Sequence, residues 1–170
     1  AVDESALRQQ GINNLDRHAT RGDWILAIDA DEIVWATKTP IKELLRTNKH
    51  DVIALDFVNM WNATHYRVDK MWKPTKCTKL YRYMPGGKIR EQKLACGSEP
   101  TYVQKCIRIG RYMHDSGLKI QHLGYMRDED KQAKFDRYMK IDGGKYHAGS
   151  HIRSILDTGV ELVEWDFEKL

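Results

Sequence analysis

The sequence predicts an α/β fold, a mixed sheet with flanking helices, and three observations carry that expectation. Trp24-Ile25-Leu26-Ala27-Ile28 is apolar without alternation, the pattern of a strand covered on both faces. Residues 51–58 and 118–123 give two further strand-like runs, the first rich in Val, Ile, Leu and Phe. Between these runs lie segments with helix formers and helical spacing.

The elements follow in order. Residues 4–20 carry apolar positions at Leu7, Ile12 and Leu15 and read as a helix interrupted by Gly11, after which Arg21-Gly22-Asp23 reads as a turn. Residues 24–28 should then form a buried, central and mostly parallel strand, ending in Asp29-Ala30-Asp31-Glu32. Pro40 suits the first turn of a helix through Ile41, Leu44 and Leu45. After the 51–58 strand comes an irregular aromatic region with Met60, Trp61, Tyr66, Met71 and Trp72. A strand is expected over 79–84, a turn at Pro85-Gly86-Gly87, and a long loop over 88–106. Asp128 can cap a helix over 129–141 that Gly143-Gly144 closes, with Phe135, Tyr138 and Met139 on one face. No repeat or linker divides the chain, so residues 1–170 read as one domain.

Composition narrows the class. The 170 residues suffice for a real core, and Lys plus Arg exceed Asp plus Glu by 28 − 24 = 4, spread along the chain. Cys77, Cys96 and Cys106 are odd in number and form no CxxC pair, which argues against a disulfide framework and a zinc ribbon. No run approaches the roughly 18 apolar residues of a membrane span, and no signal peptide opens the sequence. A soluble, cytoplasmic protein is the expectation.

Asp29 and Asp31 are the sharpest chemical feature. Side chains two apart on an extended chain point the same way, so both carboxylates should face one spot at a strand's C-terminal end, where open α/β sheets bind ligands. Hard oxygen ligands there suit Mg²⁺ or Mn²⁺, which can in turn hold a diphosphate, although a solvated acidic turn has the same sequence. His122, at the end of another short strand, could complete such a site or simply be packed. Arg127 precedes a helix on which Lys131, Lys134 and Arg137 share a rough face, able to meet phosphate charge. Trp61, Tyr66 and Trp72 could stack on a sugar ring or pack a core. No GxSxG, Walker or GxGxxG motif is present.

Taken in order, these segments resemble the bacterial and phage branch of family 2 glycosyltransferases. Residues 21–32 look like that family's strand and DxD motif, and Lys79-Leu80-Tyr81-Arg82 with Pro85-Gly86-Gly87 like its "RLYR…PGG" element. His122-Leu123-Gly124-Tyr125, followed by Lys134, Arg137 and Tyr138, is similar to its "HxGY…K..RY" element. Ser154-Ile155-Leu156-Asp157 and Leu162-Val163-Glu164-Trp165 match a tail seen in some members.

The resemblance implies a partial GT-A (Rossmann-like) fold with the N-terminal nucleotide-binding half absent, supplied by a missing segment or a separate chain. It implies metal-dependent transfer of a sugar from a nucleotide diphosphate sugar to an acceptor, with inversion. Asp29, Asp31 and His122 would hold a divalent cation, Mn²⁺ or Mg²⁺, and Asp29, Arg127, Lys134 and Trp61 would contact substrate. The family's acceptor loop often offers His-Glu where Ala95-Cys96 stands here, leaving Glu91 and Glu99 as candidates for the base. A non-catalytic structural or binding protein retaining half of this fold is the alternative; a nucleic-acid binder, argued from charge alone, is weaker.

Without contacts to base and ribose, the chain alone is expected to bind a nucleotide sugar weakly or not at all. Calorimetry with uridine diphosphate sugars and Mn²⁺ checks this, and tight metal-dependent binding by the isolated chain contradicts it.

Overall fold

The computed structural model describes residues 3–36, 39–90, 99–142 and 149–166. In chain order its elements are α1 (Glu4–Leu15), β1 (Trp24–Leu26), β2 (Glu32–Ala36), α2 (Ile41–Thr47), β3 (Val52–Asn59) and β4 (His65–Arg67). There follow β5 (Thr75–Arg82), α3 (Thr101–Arg108), β6 (Tyr112–Met113), β7 (Leu118–His122), α4 (Asp128–Asp142), α5 (Gly149–Arg153) and β8 (Leu162–Glu164). Single 3₁₀ turns occupy Lys70–Trp72 and Ser154–Leu156. Parallel and antiparallel pairings coexist, so this is a mixed-sheet α/β fold with flanking helices.

The chain divides into two compact units. The first comprises the residues up to Asp29 with Ala36–Leu55 and Lys76–Leu118; the second comprises Ala30–Trp35, Asp56–Thr75 and the residues from Lys119 onward.

In the first unit β1 pairs antiparallel with β5, setting Ile25 opposite Tyr81, and β6 runs parallel to the start of β3. Val52, Tyr81, Val103 and Cys106 form the core, with Ile25, Ala27 and Tyr102 packed against it. Asp3 caps α1, its Oδ1 accepting the Ala6 N–H at 3.1 Å. The 88–106 loop expectation is corrected in part, because residues 101–108 are helical. Pro100 precedes this helix, and Val103 and Cys106, three apart, turn one narrow apolar face inward. Tyr102 and Ile107 flank that face, so helical spacing is present in the sequence, but over only eight residues it is easily taken for part of the surrounding loop.

The expectation for residues 24–28 also needs correction. β1 ends the strand order, is only half buried and pairs antiparallel, and Ile28 is 46 % exposed. An apolar run need not lie between two layers. Ile25 and Ala27 enter the core, while the Arg82 guanidinium lies 4.3 Å from the Trp24 ring centre. Trp24 also donates its Nε1–H to the Leu45 carbonyl at 3.2 Å.

In the second unit the latter half of β3 runs parallel to β7, with Asn59 opposite His122, and β2 lies on the far side of β7. β4 and β8 form a separate antiparallel pair. The core holds Trp61, Trp72, Tyr125, Ile152 and Ile155, against which Phe135, Tyr138 and Met139 of α4 pack as their spacing predicts. The proposed glycine stop of α4, Gly143-Gly144, lies outside the described residues.

Met60, Trp61 and Trp72 of the irregular aromatic region are buried in this unit, whereas Met71 is exposed. Arg67 is wholly buried, its guanidinium 4.7 Å from the Trp61 ring centre and 5.0 Å from that of Trp72. It donates two hydrogen bonds to Asp69 and one each to the Ser154 carbonyl and Asp157. A buried cation persists only when paired in this way. Trp72 donates its Nε1–H to Ser154 Oγ at 2.9 Å and stacks on His151.

Replacing Trp72 by Ala should therefore lower the unfolding free energy by about 3–5 kcal/mol, read from denaturant titration. Trp72→Phe, which keeps most of the ring but loses the bond to Ser154, should lose markedly less.

Candidate functional site

His122 is the last residue of β7, and Asp31 immediately precedes β2. Because β7 and β2 are neighbours, the Leu123 N–H reaches the Asp31 carbonyl at 2.8 Å and holds the two positions together. His122 Nε2 lies 3.2 Å from Asp31 Oδ2. From α4, Lys134 Nζ approaches both, at 3.2 Å from Asp31 Oδ2 and 3.2 Å from His122 Nε2.

A second layer orients the imidazole. Asn59 Oδ1, on the strand in register with β7, accepts from His122 Nδ1 at 2.8 Å, which turns Nε2 toward Asp31 and Lys134. The Phe57 ring packs beside the imidazole, and Tyr125 meets it edge-on. With both ring nitrogens protonated, Nε2–H donates to Asp31; with Nδ1 alone protonated, Nε2 accepts from Lys134.

Gly124 makes this arrangement possible. A methyl group there would lie 2.5 Å from Asp31 Oδ2 and 2.8 Å from His122 Nε2, and would collide with Lys134 Nζ. The three side chains meet in space that any β-carbon would fill.

The cluster opens into a cleft of about 530 Å³ lined by Asp31, Gly124, Arg127, Asp130, Lys134 and Arg137 among others. Arg127 grips Asp130 through two hydrogen bonds, of 2.7 and 2.9 Å. Three cations thus face two carboxylates, leaving one positive charge in excess. Lys131, expected on the same face, instead bonds Asp128 and lies over Trp61.

The Asp31 carboxyl is held well below the usual carboxylate range, chiefly by the hydrogen bond from His122. Partial burial opposes this, and the charges of His122 and Lys134 reinforce it.

The other sequence candidates have surroundings of their own. Asp29 belongs to the first unit, where Arg8 reaches one carboxylate oxygen at 3.2 Å and Lys79 the other at 3.0 Å. Burial is the largest single influence on Asp29 and opposes its ionisation, but Lys79 and Arg8 together outweigh it and lower its pKa. Glu99, also in the first unit, accepts from Thr78 Oγ1 at 3.2 Å, while Glu91 lies outside the described residues. Trp61 is 6 % exposed, with Arg67 and Lys131 against its ring and Tyr125 stacked alongside, so packing is the role its surroundings show.

Asn59 and Gly124 escaped the sequence reading as site residues. Asn59 becomes relevant only through the β3–β7 register; Gly124 stands in the His-x-Gly-Tyr motif, but its steric role shows only in what crowds its α-carbon.

What could the cluster hold? Cis donors on an octahedral ion with bonds of about 2.1–2.2 Å stand about 3 Å apart, close to the Asp31–His122 separation. The separation is that of a hydrogen bond and is also compatible with two neighbouring positions around one divalent cation. Among the described residues no group of three or more His, Cys, Asp or Glu is gathered for a metal.

Because the folded-state pKa of Asp31 is depressed, its ionisation stabilises the fold above the ordinary carboxylate value of about 3.9. That contribution disappears as pH falls below this value. Asp31→Asn should flatten the acid side of the stability–pH curve, and Gly124→Ala, by breaking the cluster sterically, should reproduce the flattening. Urea midpoints measured from about pH 6 downward through the carboxylate range check both.

Comparison of the chain with protein-family models, with curated proteins and with solved structures finds no match, so the site's geometry and its sequence pattern carry the functional argument.

Proposed function

We propose that this chain acts in metal-dependent glycosyl transfer, moving a sugar from a nucleotide diphosphate sugar to an acceptor with inversion, as part of a GT-A-type enzyme. The observation that carries the proposal is the Asp31–His122 pair, held at adjacent strand ends with spacing suited to one cation and opening on a cationic cleft. The order of motifs around it supports the same reading.

In this reading Asp31 and His122 hold Mn²⁺ or Mg²⁺. When bound, that ion would neutralise charge developing on the departing nucleoside diphosphate. The chain's own residues do the rest. Asn59 keeps His122 oriented with Nε2 available. Lys134 and Arg137 line the cleft and offer N–H donors to phosphate oxygens, with Arg127 at its rim held by Asp130. Such donors stabilise the leaving group most strongly where they are already in place. The roles that the resemblance gives Asp29 as a donor contact, and Glu91 or Glu99 as base for the acceptor hydroxyl, stay expectations of the sequence.

A second reading has one observation in its favour. Lys134 and His122 already satisfy the Asp31 carboxylate, as they would in a structural relic that binds no metal.

The two readings separate on Mn²⁺ binding and on consumption of uridine diphosphate sugars. The enzyme reading expects saturable Mn²⁺ binding that Asp31→Ala abolishes, and an affinity in Asn59→Ala lower by about 10–100-fold. It also expects sugar transfer by the complete enzyme to fall with Asp31→Ala while the fold survives. An unchanged rate in that variant would return Asp29-Ala30-Asp31 to an acidic turn.

A further inference from the structure

Lys134 occupies an unusual position for a phosphate-binding lysine. Its ammonium touches Asp31 Oδ2 and His122 Nε2 equally, at 3.2 Å each, closing a triangle whose third side is the 3.2 Å Asp31–His122 contact. A metal bound by His122 would need the single in-plane lone pair of Nε2, because a ligating imidazole is neutral at that nitrogen. In that same neutral form Asn59 takes the Nδ1 proton, and the Nε2 lone pair accepts from Lys134. Ammonium and metal therefore compete for one lone pair and one carboxylate oxygen.

We propose that Lys134 is a built-in competitor for the divalent cation: it holds Asp31 and His122 together in the metal-free protein and must leave when the ion binds. This rests on the reading of Asp31 and His122 as metal ligands.

Three features support exchange over a permanent ion pair. The lysine side chain is long and flexible, and it lies on the wall of the open cleft. Its side chain keeps 20 % of its exposure, so the ammonium can swing out without unfolding α4. The cleft also offers it another partner, since Asp130 feels its charge. On release the ammonium joins Arg127 and Arg137 along the cleft wall, so cation entry would also move a positive charge to where a diphosphate would lie. Tyr125, whose ring centre lies 4.5 Å from Nζ, lines the inner position that the lysine would vacate.

The test is Mn²⁺ titration by calorimetry on the wild-type chain and on Lys134→Met, Lys134→Arg and Asp31→Asn, with thermal unfolding of each. Lys134→Met keeps the length and apolar stem of the side chain but removes the competing charge. It should bind Mn²⁺ about tenfold more tightly than wild type, the change expected from losing one charge-assisted contact. Lys134→Arg retains the charge and should stay near wild type. Without metal Lys134→Met should melt below wild type, and saturating Mn²⁺ should raise its melting temperature by more. Should Lys134→Met fail to fold, Lys134→Gln carries the same expectation.

Two results overturn the proposal, and they are distinguishable. Mn²⁺ binding that is lost in Asp31→Asn but equal or weaker in Lys134→Met would leave the metal site standing and show that Lys134 does not compete. Absence of any Mn²⁺ binding sensitive to Asp31→Asn, in wild type and Lys134→Met alike, would remove the metal reading and this inference with it.

Discussion

A buried guanidinium organises the unit that carries the site. Arg67 cannot meet water, so every donor it has must find an acceptor in the protein, and its partners come from far apart in sequence. Asp69 is two residues away, whereas Ser154 and Asp157 belong to the C-terminal segment. Satisfying Arg67 thus fixes the tail against the Trp61–Trp72 region. That packed region, with Tyr125 and Ile155, is the surface on which Phe135, Tyr138 and Met139 seat α4. The placement of Lys134 depends on α4, so one charge-burial constraint propagates by packing to the cluster around His122.

The cluster obeys the same rule in a half-exposed setting. A carboxylate partly removed from water requires positive charge nearby, and each aspartate of the Asp29-Ala30-Asp31 segment has it. Asp29 has Arg8 and Lys79 in one unit, and Asp31 has His122 and Lys134 in the other. Neighbouring acids that would otherwise repel are compensated by the protein's own cations. If Asp31 and His122 hold a cation as proposed, such compensation would stabilise the metal-free fold and oppose metal binding in the same act. An ion that displaces an ammonium gains less than its bare coordination energy, because the contact it replaces was already favourable.

Glycine has a purely steric role here. Gly124 is needed for the space it leaves, since three polar side chains converge where its β-carbon would stand. Its neighbours divide the remaining work: His122 turns into the cluster, and Tyr125 turns into the core. The four residues from His122 to Tyr125 thereby link core and site over a very short stretch of chain.

Much of this was legible in the residues themselves. Strong local patterns are readable because backbone preference and one-sided burial repeat along the chain: β3, β7 and α4 appear close to where their apolar spacing places them. Asp31 and His122 could be singled out as polar groups next to strand ends, and Lys134 by its place on the basic face of a helix. Sequence alone also determined the inventory of the site, its charges and donors. Tertiary structure decided which of these meet. The run at residues 24–28 looked central because apolar residues signal burial but not by what, and a guanidinium over Trp24 serves as well as a second layer. Trp61 became core because Arg67 required aromatic and acidic company, a need satisfied only across some 87 residues of chain. Asn59 reached His122 through strand register, and Asp29 parted from Asp31 in its choice of partners. These outcomes depend on contacts distant in sequence, whose energies are set by packing and charge compensation in three dimensions and leave no periodic trace along the chain.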